Sequence, residues 1–482
     1  MDIYTTAKAS NIGLTYLSPS LEILSISTLL LLVLVALGVL FLGGGLAFLT
    51  TIYQFPASRS IQFLLLLPMA IPTYIMGFLL FGASKDHSVM NIIEVKDIWL
   101  PGSLFVLLKT SLLYIVTLYP IIYITTKNAL SALTHAQLET CRILNLSQAG
   151  ILLNILFPWV RSGISSGLML TLLVVLSDFA TPLLNGLPTL TTTIYFNLEH
   201  NQTGSIVWIP AALLFLTGLL VILILQMVRG SATQEPKVMQ TDQLYQAVSQ
   251  AKSKLVSLIC LLVLFATLFF PLTRLILLLS RNASIDSVVN LQPYLLHSAE
   301  LSLGIGILSI FVILLAVRSG GFYLTKPVMV LIKSLPVPSL VVAMLFVLQG
   351  LPALMLTYLF HVMPVIMGVL LSGSMLSTAR YSVLTYAIGL SGLNKFFRIY
   401  LPMMKSDIGI VLLLVTVMIF RELPASYLLQ TEGWKTLATK CFELVSAGTI
   451  ELAAPAAGIL ILAGLLPILL IALKPSILSR TI

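Results

Sequence analysis

The chain has 482 residues, 58% of them hydrophobic and 9% charged, with a mean hydropathy of +1.06 and a formal net charge of +9. Soluble domains carry roughly a quarter charged residues, so composition excludes a soluble protein and leaves an all-α polytopic membrane protein. The basic excess fits cytoplasmic loops and gives no reason to expect a nucleic-acid partner.

Residues 1–21 form a polar N-terminal segment without the basic start of a signal peptide. A membrane span needs about 20 largely apolar residues. By that rule spans are predicted at 22–50, 61–82, 103–126, 161–184, 205–228, 254–279, 293–317, 327–348, 351–374, 406–429 and 452–473, eleven in all. The expected organisation is a first transmembrane domain over 22–228, a linker over 229–292 carrying one connecting span at 254–279, and a second transmembrane domain over 293–482. The loops 51–60, 127–161, 229–254, 318–333, 375–405 and 474–482 hold 17 Lys and Arg, against 6 in the loops between them. The first set is therefore expected in the cytoplasm and the N-terminus outside. Cys141, Cys260 and Cys441 are scattered, as are the five histidines, so no metal or disulfide framework can be read from spacing.

The two halves repeat each other. An offset of 244 pairs Ser147 with Ser391, Ile155 with Ile399, Pro158 with Pro402, and Asp178 in "LSDFATPLL" with Glu422 in "FRELPASYLL". After a loop difference of three residues, "PTLTTTIY" (188–195) matches "KTLATKCF" (435–442). Upstream, "LPMAIPTYIMG" (67–77) resembles "LPVPSLVVA" (335–343). Each copy has about five spans. Two copies of five joined directly would be inverted, and the additional span at 254–279 makes the repeat parallel.

Between spans, "LETCRILNLSQAGILLNILFP" (138–158) interrupts the apolar chain with Glu139, Asn145 and Ser147. Its apolar residues recur at helical spacing. Asn145 and its counterpart Gly389 are the residue types that best tolerate a left-handed helix end, and Ser147 and Ser391 are placed to cap the next helix. Each copy reads as helix, turn and helix outside the membrane, with Pro158 or Leu401-Pro402 at the entry to the next span.

These residues resemble the "EAA" loop of permeases from binding-protein-dependent ABC transporters. That pattern is Glu-Ala-Ala, then Gly, then Ile-x-Leu-Pro. Copy one reads Glu139-Thr140-Cys141, Asn145, Ile155, Phe157-Pro158, and copy two reads Val383-Leu384-Thr385, Gly389, Ile399, Leu401-Pro402. Together with "SDFATPLL…TLTTTIY" and "RELPASYLL…TLAT", the chain is most like the fused, two-copy permeases for ferric iron. The resemblance implies a type I importer fold with two tandem permease domains, twelve spans where a further first span is present, and a place in the bacterial inner membrane. It also implies two copies of a cytoplasmic ATPase held by the loops, with Glu139 paired to a basic ATPase residue and Val383 unable to do the same. A periplasmic or lipid-anchored binding protein would deliver substrate. The chain lacks a Gly-x4-Gly-Lys-Ser/Thr phosphate loop, so it is expected to be no enzyme and to bind no cofactor, ATP and magnesium being used by the partner. Permeases for thiamine and other small solutes share this architecture. An ion-coupled secondary transporter, the competing class, would show an inverted repeat.

Asp178, Thr181 and Pro182, with Arg421, Glu422 and Pro424, are candidates for the substrate pathway. Intramembrane carboxylates are functional by default, and ferric iron prefers oxygen ligands. The competing reading makes Asp178 and Glu422 caps at the outer interface, with Arg421 reaching headgroups. Lys109 and Lys333 are expected to snorkel, Glu300 to be structural and His361 to be a packing residue. Prolines 68, 72, 336 and 338 break spans along the expected pathway, and Gly43-Gly44-Gly45 is expected to allow close helix packing.

Overall fold

The computed structural model describes residues 20–82, 102–131, 157–200, 204–229, 250–282, 290–318, 336–348, 350–372, 401–429 and 434–473. These residues form helices and no β-strand, as lipid demands of a chain that must satisfy its own backbone. Helix α1 (Leu21–Ile52) opens with the Ser20 hydroxyl accepting from Ile23 N at 3.4 Å and passes through a π-turn at Leu40–Gly44. A Cβ at Gly43 would lie 2.5 Å from the Tyr119 carbonyl oxygen, so only glycine fits there. Gly44 and Gly45 meet nothing within 4 Å, which narrows the expected close-packing role of the triplet to Gly43.

After Ala57, which takes a left-handed backbone (φ 56°), come α2 (Ser58–Leu64), a 3-10 turn (Leu67–Ala70) and α3 (Thr73–Phe81). The parts on either side of Ile71-Pro72 diverge by 98°. Pro72 is extended (φ −56°, ψ 143°) and has no N–H to continue a helix. The span expected at 61–82 is therefore a bent pair. Next are α4 (Gly102–Ser131) and α5 (Phe157–Ser177). They cross so closely that a Cβ at Gly163 of α5 would sit 2.4 Å from the Thr125 carbonyl oxygen.

The span expected at 161–184 ends early. α5 stops before Asp178, and a separate short helix α6 (Ala180–Asn185) follows. Then come α7 (Leu190–Glu199), α8 (Ser205–Arg229) and α9 (250–282, with a π-turn at Phe265–Phe269). The second half contains α10 (Gln292–Arg318), α11 (Val337–Val347), α12 (Leu351–Ser372) and α13 (Leu401–Arg421). It ends with α14 (Pro424–Leu428), α15 (Leu437–Ser446) and α16 (Ile450–Leu473). The span expected at 406–429 is likewise interrupted, at Glu422. Both interruptions escape a hydropathy reading because the few charged residues at each corner sit within long apolar runs.

Among the described residues, seven helices are long and apolar enough to cross a membrane, or eight with the bent pair. The seven fall on the predicted spans 22–50, 103–126, 161–184, 205–228, 254–279, 293–317 and 452–473. Predicted spans 351–374 and 406–429 contain the shorter apolar helices Leu351–Met363 and Val411–Arg421, and 327–348 is described only from residue 336.

The chain divides into two compact units, Met1–Ala283 with Phe442–Ile461, and Ser284–Cys441 with Leu462–Ile482. In the first unit α4 packs on α1 and α5, and α8 packs on α5 and α7. Helix α9 lies in this unit: Val256, Cys260, Leu264 and Leu268 form one edge that packs with Leu46, Tyr119, Tyr123 and Val160. Its opposite side, with Leu255, Leu258, Leu262 and Phe265, is exposed, as suits a face toward lipid. In the second unit α10 packs on α12 and α13, while α11 and α14 pack on α12.

Candidate functional site

The interruption after α5 is built around one carboxylate. The last turn of α5 tightens so that Asp178 N donates to Val175 O at 3.3 Å. The Asp178 side chain then takes over the free N–H groups of α6. Oδ1 accepts from Ala180 N at 2.8 Å and Thr181 N at 3.2 Å. Oδ2 accepts from Thr73 Oγ1 at 2.7 Å, Tyr114 OH at 3.1 Å and Thr181 Oγ1 at 2.5 Å. Three elements, α3, α4 and α6, thus converge on one side chain. An acid suits the start of a helix, where N–H groups lack intrahelical acceptors.

Glu422 makes the second corner in the same way. Its N donates to Ile419 O at 3.1 Å, and its carboxylate accepts from Ala425 N at 3.0 and 3.1 Å and from Ser426 N at 3.3 Å. Tyr358, which stands 244 residues after Tyr114, reaches Ser426 Oγ, and that hydroxyl sits 2.8 Å from Glu422 O. The glutamate is buried while Asp178 is half-buried.

The correspondence extends to the following helices. In α7 the Thr189 hydroxyl accepts from Thr192 N at 3.3 Å, and in α15 the Thr436 hydroxyl accepts from Thr439 N at 3.3 Å. The first N–H of each helix is taken by an earlier hydroxyl: Leu190 N donates to Thr28 Oγ1 at 3.1 Å, and Leu437 N to Ser298 Oγ at 2.7 Å. Thr191 Oγ1 also donates to Asp178 O at 3.3 Å, tying α7 back to the corner.

Of the pathway candidates, Asp178, Thr181 and Pro182 lie together in the first unit, and Arg421, Glu422 and Pro424 in the second. Thr181 and Glu422 are buried, Pro182 is buried within α6, Arg421 is half-buried at the end of α13 and Pro424 opens α14. No three His, Cys, Asp or Glu side chains cluster as a metal centre among the described residues. Of the loop residues, Glu139, Asn145, Ser147, Ile155, Gly389, Ser391 and Ile399 lie outside the described residues. Pro158 is exposed in the first turn of α5, and Leu401 and Pro402 open α13. Lys109 places its ammonium 5.0 Å from the Phe81 ring centre, a cation–π contact. Glu300 is exposed on α10, and His361 is half-buried on α12. Lys333 lies outside the described residues.

Sequence reading missed Thr28, Thr73, Tyr114, Ser298 and Tyr358. The tyrosine pair carried a legible signal, because it stands on the 244-residue offset. The hydroxyls of α1 and α10 stand on a different offset and gave none.

Residues 40–232 match the family model described as "Binding-protein-dependent transport system inner membrane component". That segment of the first half is similar to these inner-membrane permeases. Over 493 aligned positions the permease is 22% identical to the "Fe(3+)-transport system permease protein FbpB 2" of Haemophilus influenzae, covering 97% of this chain and 94% of that one. No solved structure matches the permease. Its long apolar helices and these similarities mark it as a multi-pass inner-membrane protein, and its two corners repeat across its halves.

Proposed function

We propose that this permease forms the whole translocation pathway of an ATP-driven importer for ferric iron, with both halves in one chain. The end-to-end alignment with an Fe(3+)-transport permease carries this reading, since it spans both copies of the repeat. The cytoplasmic segments 138–158 and 383–402 are the coupling loops, using Glu139, Asn145, Ser147, Ile155 and Pro158 in one copy and Gly389, Ser391, Ile399, Leu401 and Pro402 in the other. Two copies of a separate ATPase dock on them, and ATP and magnesium are bound there. A periplasmic or lipid-anchored binding protein delivers iron to the outer face.

The chemistry of this chain is gating without a covalent step. A rigid element held by the ATPase passes its displacement to the spans as a rigid-body motion. Corners such as Asp178 keep that motion intact, because a carboxylate joining three helices lets the broken span move as one piece. The reading is tested by measuring radiolabelled ferric iron uptake in cells deleted for the gene and complemented with it. Uptake that returns with the gene and is not competed by thiamine supports it. Restored uptake of thiamine in place of iron would reassign the substrate.

A further inference from the structure

In the first unit four buried aromatic rings meet beside the Asp178 corner, and the half-buried Phe196 stands edge-on to one of them, Tyr195, at 5.4 Å. Phe179 stacks on Tyr195 with ring centres 4.6 Å apart and planes 15° from parallel. Phe442 of α15 stands edge-on to Phe179 at 5.6 Å, to Tyr195 at 6.4 Å and to Tyr74 at 6.4 Å. Every one of these side chains is buried, Phe179 completely and Phe442 to within 1%. One relation sets the cluster apart from ordinary packing. Tyr195 and Phe442 are counterparts: each is the last residue of its matched segment, "PTLTTTIY" and "KTLATKCF". The threonine caps of α7 and α15 place them alike, as do the bonds from Leu190 N and Leu437 N.

A residue reaches its own counterpart only where a duplicated chain closes on itself. Here that place lies inside the first unit, which holds all four rings. We propose that Tyr195 and Phe442, backed by Phe179 and Tyr74, are the seal of the translocation pathway, an aromatic plug that excludes water when closed. Three rings come from the first copy and one from the second, so the plug opens when α15 withdraws Phe442 from the other three. Tight apolar constrictions block ions by dewetting, and the rings offer that without a charged group. The attachment of Phe179 to Asp178, and of α7 to Asp178 O, links the plug to the corner. This assignment rests on the importer reading, and it names the residues that gate.

The test uses the permease with its ATPase in proteoliposomes, after replacing Cys141, Cys260 and Cys441 by serine. Leak of entrapped potassium is measured without ATP. Phe442→Ala combined with Tyr195→Ala is expected to raise the leak about tenfold or more, while Phe442→Trp stays sealed. A second variant, Phe442→Cys, is probed with a membrane-impermeant cationic thiosulfonate. Its reaction rate is expected to rise about tenfold when vanadate and ATP trap the ATPase closed. Vesicles as tight as the parent, together with equal thiol reactivity in both states, would overturn the plug. Failure of the parent complex to hydrolyse ATP in response to the permease would instead strike the importer reading, and the leak comparison would still decide the plug.

Discussion

At the scale of single residues, Asp178 is the most heavily used polar side chain described. Five donors from three helices end on it, and hydrogen bonds to a charged group contribute roughly 1.5–3 kcal/mol each without being additive. Asp178→Ala is expected to destabilise the detergent-purified permease by on the order of 3 kcal/mol, read as an earlier loss of the monodisperse peak on heating. Asp178→Asn keeps one acceptor oxygen and should cost about half as much. An unchanged profile for the alanine variant would remove the corner from the structural account. The two acids were legible in the sequence as intramembrane carboxylates at one offset. Their partners were not, because Thr73 and Tyr114 lie far away in sequence and hydroxyls in apolar spans are common.

At the scale of elements, close crossings decide what can change. Gly163→Ala pushes a methyl group against the Thr125 carbonyl and should cost about 1–3 kcal/mol. Gly45→Ala, which meets open space, should be neutral or slightly stabilising, since glycine inside a helix costs up to about 1 kcal/mol. Thermal profiles of the two variants in one detergent distinguish them, and equal profiles would contradict the crossing. Most spans were legible as apolar runs of membrane length. Hydropathy misjudged the ends of 161–184 and 406–429, because a window average absorbs one or two charged residues. It ran straight through 61–82 as well, where Pro72 bends the chain. Proline at that position marks a break, but an angle of 98° is set by what packs on either side.

At the scale of the whole molecule, the repeat was readable from offsets alone, and the paired corners are its physical content. Helix α9 connects the two copies in sequence, and its Val256, Cys260, Leu264 and Leu268 edge belongs to the core of the first unit. Periodicity shows that such an edge exists and cannot say what it meets. Truncating Leu264 to alanine should cost about 2–5 kcal/mol, as for other filled cores, and a loss of expressed, folded permease would record it. The loops 138–158 and 383–402 differ in one acid, so under the proposed function unequal contacts with the ATPase are expected. Glu139→Lys should lower ATPase stimulation at least about tenfold, as loss of an interfacial charge pair does, and Val383→Lys should lower it less. Equal losses would contradict the asymmetry.

In the proposed function, one chain supplies both halves of an ATP-driven import pathway. Its most direct test is ATP-dependent accumulation of radiolabelled ferric iron in proteoliposomes containing this permease, its ATPase and its binding protein. Accumulation is expected to need all three components and to stop with vanadate. Accumulation driven by an ion gradient without the ATPase would contradict it.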